Sequence, residues 1–129
     1  MRRARAFTLM ELMAVLAIAG ALTFVAASNW PAYWQRKHRA AARAALVGAL
    51  SQLELRHAST GTYEGTPGPM PYVDGYIITE QPCASRGISV PRNQCIEVVA
   101  KPGQPDKVCG NLVLRSTGER EPHNSTCWP

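Results

Sequence analysis

Hydrophobic positions fall into two regimes along this chain. From Leu12 to Gln35 no charged side chain interrupts a run of Leu, Ala, Val, Ile, Met and Phe. As a helix that run is long enough to cross, or nearly cross, a hydrocarbon core of about 30 Å. Beyond it the apolar positions thin out but keep helical register. Leu46, Ala49, Leu50 and Leu53 recur at three- and four-residue spacing, and the intervening HRAAARAAL is rich in strong helix formers. The pattern predicts one helix from about residue 7 to about residue 58, roughly 75 Å long. Gly61, in STGTY, supplies the stop.

After Tyr63 the composition shifts to Pro and Gly, and GTPGPMP (65–71) reads as a linking loop. Three short runs then read as strands: YIITE (76–80), CIEVVA (95–100) and NLVLRS (111–116). The turn-forming KPGQPDKVC separates the last two, so an antiparallel meander is expected. Its apolar face, Ile77, Ile96, Val98, Leu112 and Leu114, is expected to pack on Leu46, Leu50 and Leu53. The fold class is therefore α+β, a long N-terminal helix packed on a small antiparallel sheet.

Of the 129 residues, those left after the first fifty or so make a small domain. A core of about 70 residues is marginal without staples. All four cysteines, Cys83, Cys95, Cys109 and Cys127, lie there. An even count in a small, loop-rich segment reads as two disulfides and an oxidising compartment, with three connectivities open. A metal site is disfavoured, because 11, 13 and 17 residues separate successive cysteines and there is no C-x-x-C pair.

The net charge of +5 suggests nucleic acid until it is located. Arg2, Arg3 and Arg5 precede the apolar run, and Arg36, Lys37, Arg39, Arg43 and Arg56 follow it. From residue 58 onward six bases face seven acids. The distal part is thus not basic overall, although Arg86, Arg92, Lys101, Lys107, Arg115 and Arg120 could form a local patch for DNA or another surface ligand. Catalysis finds little support: there is no G-x-S-x-G, no Gly-rich phosphate loop, and His38, His57 and His123 share no metal-ligand spacing. Neither enzyme activity nor a cofactor is expected. NST at 124–126 matches a glycosylation sequon.

A basic leader and an apolar run also describe a secretory signal, with Val25 and Ala27 of VAAS as a small-residue cleavage site. Glu11 argues against it. A carboxylate at the rim of the apolar run costs insertion energy and does nothing for export, and the helical register continues past Ala27.

The short basic leader, a small residue and then FTLMEL ahead of an apolar helix resemble the class III leader of type IV prepilins. Toward the end, VCGNLVLRSTGE and TCWP are similar to the closing stretch of PilE-type pilins and their minor-pilin relatives, and STGTY to a turn those proteins carry after the helix. The resemblance implies a ladle-shaped pilin fold. It also implies cleavage by prepilin peptidase between Ala6 and Phe7, methylation of the Phe7 amine, and assembly into a filament. Ala6 departs from the family's usual glycine before the cut, although alanine is small enough to be accepted there. Glu11 occupies the position of the family's assembly glutamate, where pairing with a neighbour's Phe7 amine neutralises both charges and sets axial register. Gly20 and Pro31 are the weak points between which family members lose helix in the filament. Trp30, Tyr33 and Trp34 suit a membrane interface.

The expected organisation is a leader at 1–6, a membrane and filament-core helix half at 7–35, an amphipathic half at 36–60 and a disulfide-stapled β domain at 61–129. Cys83 is expected to pair with Cys95, closing a small loop before the second strand, and the resemblance suggests Cys109 with Cys127, tying the tail to the third strand. Expected partners are other pilin subunits, prepilin peptidase and the assembly machinery, with the bacterial inner membrane as host before assembly. The amino end is placed in the cytoplasm and the cysteines in the periplasm, and the pilus is extracellular. A minor pilin is the leading reading; a filament-tip DNA- or surface-binding pilin and a type II secretion pseudopilin are the alternatives.

Overall fold

The computed structural model describes residues 7–65, 68–85 and 87–129. It divides into two compact units, the first ending at Gln35 and the second running Arg36–Pro129. A single helix, α1 (Leu9–Thr60), supplies the first unit and begins the second. Thr8 starts it as an N-cap, its hydroxyl accepting the Glu11 amide at 3.3 Å. Gly61 ends it at φ +75°, with its N–H bonded to the His57 carbonyl at 2.7 Å. The helix is continuous through Pro31, and its first part is long and apolar enough to cross a membrane.

In the second unit Ala42, Leu46, Ala49 and Leu53 form a buried stripe at helical spacing. They pack on a four-stranded antiparallel sheet of order β1-β4-β5-β6: β1 (Tyr76–Pro82), β4 (Ile96–Pro102), β5 (Leu112–Arg115) and β6 (Arg120–Glu121). A two-stranded ribbon, β2 (Ala84–Ser85) with β3 (Ile88–Ser89), interrupts the path from β1 to β4. The inner face carries Ile78, Ile96, Val98, Ala100, Leu112 and Leu114.

Ile77 is not part of that face, contrary to expectation. It is 62% exposed and Ile78 is buried in its place. The bridge between Val73 and Tyr76 sets the register, with Val73 buried and Tyr76 packed on the core; with period-two alternation Ile78 then faces inward and Ile77 outward. Gly75 makes that turn possible. It sits at φ +80°, and a β-carbon there would lie 2.8 Å from Nδ1 of His38.

Candidate functional site

The N-terminal element is built for exposure within this chain. Phe7 is 76% exposed, and the apolar residues from Leu9 through Val25 have no buried members. Glu11 lies in the first helical turn, where the unsatisfied amides and the helix dipole favour a carboxylate. Thr8 and Glu11 occupy the T-x-x-E spacing of a capping box, a role that the motif reading missed and that the spacing itself could have signalled. Farther along, Ser28 Oγ and Asn29 Nδ2 both donate to the Val25 carbonyl, each at 2.9 Å. Such bonds to the preceding turn compete with the helix ladder, and they fall between Gly20 and Pro31. Ala6 lies outside the described residues.

The second unit is fastened at one end by a linked set of contacts. Arg39, three residues before Ala42, falls on the buried stripe. Its Nε and Nη2 donate to Asp106 Oδ2 and Oδ1, both at 2.7 Å. The forked geometry suits a carboxylate and leaves neither charge unpaired inside. Asp106 Oδ1 also accepts the amides of Val108 and Cys109, at 3.0 and 3.2 Å. Cys109 is bonded to Cys127, whose carbonyl accepts Arg43 Nη1 at 2.8 Å. Helix, turn, disulfide and helix again thus form a closed circuit. The Arg39 guanidinium holds the Asp106 carboxyl below the usual carboxylate range; burial works the other way, and the two amides add to the lowering. The same hydrogen bond raises Arg39.

On the outer face Arg115 draws three carboxylates together. Its Nε donates to Glu97 Oε2 at 2.8 Å, and Nη1 pairs with Glu119 at 2.8 Å and Glu121 at 2.7 Å. Burial opposes the Arg115 charge, and the bonds to Glu97, Glu121 and Glu119 outweigh it, so its pKa is raised. A cavity of about 480 Å³ opens beside this cluster, lined in part by the second disulfide, Cys83–Cys95.

This arrangement disperses the candidate basic patch. Arg115 is consumed by carboxylates, Arg92 reaches Glu80 at 3.4 Å, and Arg120 lies 5.5 Å over the Trp128 ring. Lys101 and Lys107 are exposed, and Arg86 lies outside the described residues. Among the described residues no three His, Cys, Asp or Glu side chains form a metal-holding group.

Comparison with known proteins gives two findings. The prokaryotic N-terminal methylation motif matches residues 1–27. A solved type IV pilin from Shewanella oneidensis matches with a TM-score of 0.56 at 23% identity, over 73% of this chain and 97% of that one. No curated protein matches. The chain thus carries the methylation motif and shares the fold of that pilin, a long N-terminal helix packed on a small antiparallel sheet, here with two disulfides.

Proposed function

We propose that the chain is a structural subunit of a type IV pilus. Prepilin peptidase cuts between Ala6 and Phe7, the new Phe7 amine is methylated, and the protein waits in the inner membrane with its amino end cytoplasmic. It then enters the filament through α1. The methylation motif carries this reading, because it spans a segment whose helix starts just past the cut with Glu11 in its first turn. The cysteine-bearing unit on the periplasmic side suits the oxidising compartment its two disulfides require. A short distal domain favours a minor subunit, and its disulfide-fastened tail favours a pilus over a secretion pseudopilin.

Mass spectrometry of the protein in sheared surface filaments tests the reading. The expected amino terminus is N-methylated Phe7. A mature chain beginning after Ala27, or absence from the filaments, overturns it.

A further inference from the structure

The second unit presents an apolar groove and an apolar knob on different sides of its sheet. The groove is an open hollow of about 620 Å³ between α1 and β5, lined by Val47, Leu50, Leu55, Ala58 and Leu114, with Glu54, which accepts the Tyr63 hydroxyl at 2.9 Å, also on its wall. Leu55 is 71% exposed there. The knob stands at the start of β1, the edge strand away from β5 and β6, and on the residues leading into it. Because the Val73–Tyr76 bridge points Val73 inward, the flanking Tyr72 and Ile77 both point outward, 91% and 62% exposed. Lys101, also exposed, is Ile77's direct partner in the β1–β4 register.

We propose that the groove of one copy receives the Tyr72 and Ile77 knob of a second copy of this chain, with Lys101 meeting Glu54. This rests on the filament-subunit reading and gives it a contact outside the N-terminal helix. The two surfaces are complementary in kind: apolar walls with an anion against apolar side chains with a cation. Scattered exposed hydrophobics are ordinary, but an exposed Tyr beside an Ile matches the anchors that dominate interfaces, and a groove of this size holds both. Placement decides the geometry. A contact between two different patches of one chain is head-to-tail, so it leaves a free groove and a free knob at the ends and propagates.

The test uses the full chain in its own cell. With Ile77→Cys and Leu55→Cys combined, sheared filaments run without reductant should give a ladder of dimers and higher species, and either substitution alone only monomer. Tyr72→Asp, at a surface position, should lower recovery in filaments by about tenfold or more. Lys101→Glu should lower it by about threefold to tenfold, and adding Glu54→Lys should restore it. Peptide mapping of both native disulfides confirms the fold of each variant. Wild-type chain present in filaments, with neither ladder nor charge rescue in folded variants, overturns the contact and leaves the subunit reading standing. Wild-type chain absent from filaments overturns both.

Discussion

Two physical roles are open to Glu11, and they can be separated. As the acid of a T-x-x-E start it supports the helix end, and as a charge in an apolar run it needs a partner. Glu11→Gln keeps the capping geometry and removes the charge, whereas Glu11→Ala removes both. If charge pairing drives incorporation, both variants should lose most of their filament-associated protein; recovery of wild-type amounts by Glu11→Gln would assign the residue to capping alone. At Asp106 the prediction concerns stability. Asp106→Asn or Arg39→Ala leaves one buried charge unpaired and should cost about 3–5 kcal/mol in denaturant unfolding. Because the Asp106 carboxyl is depressed in the folded chain, its contribution is fully present above its unfolded value of about 3.9 and is lost as pH falls through the folded one. The midpoint of thermal unfolding should therefore lose this term only below about pH 4, and Asp106→Asn should flatten that loss. Arg39 lies seven residues before Leu46 and fourteen before Leu53, on the buried stripe, but the periodic set read from sequence began at Leu46 and left Arg39 among the flanking bases. Local pattern could not say which of the eight acids downstream of Arg39 would meet it, because that choice depends on how the chain folds back over sixty-seven residues.

Among the elements, α1 was the most legible, since its length and stop follow from local pattern: expected at about 7 to 58, it spans Leu9–Thr60. The three main strands were legible as well, but not the inward face of the first. Ile77 and Ile78 are adjacent and equally apolar, so the alternation had no polar marker there, and a turn held by Gly75 decided between them. Gly75→Ala should accordingly destabilise the second unit by about 1–3 kcal/mol, through both the φ penalty and the clash with His38. The ribbon of β2 and β3 and the strand β6 are two residues long each, too short to leave a periodicity in sequence. Of the disulfides, Cys109 with Cys127 was readable through the resemblance and Cys83 with Cys95 as a short loop closure, and the structure has both pairs. Replacing Cys109 and Cys127 by Ser should lower stability by about 2–5 kcal/mol, measured by urea unfolding with the Cys83–Cys95 bond intact.

For the molecule as a whole, the charge distribution matters more than its total. The excess of bases sits around the apolar run, and in the distal unit Arg115 and Arg92 are matched by carboxylates. Duplex DNA should thus bind the distal surface only weakly, and Arg92→Ala should change mobility shifts little even at low salt. The circuit through Arg39, Asp106, Cys109, Cys127 and Arg43 has a mechanical meaning. If the proposed filament role holds, a pull on the distal part of the second unit reaches the stretch of α1 that carries Arg39 and Arg43. There the load meets a forked ion pair and a covalent bond side by side, so the sheet is dragged as one block and not peeled strand by strand from its tail.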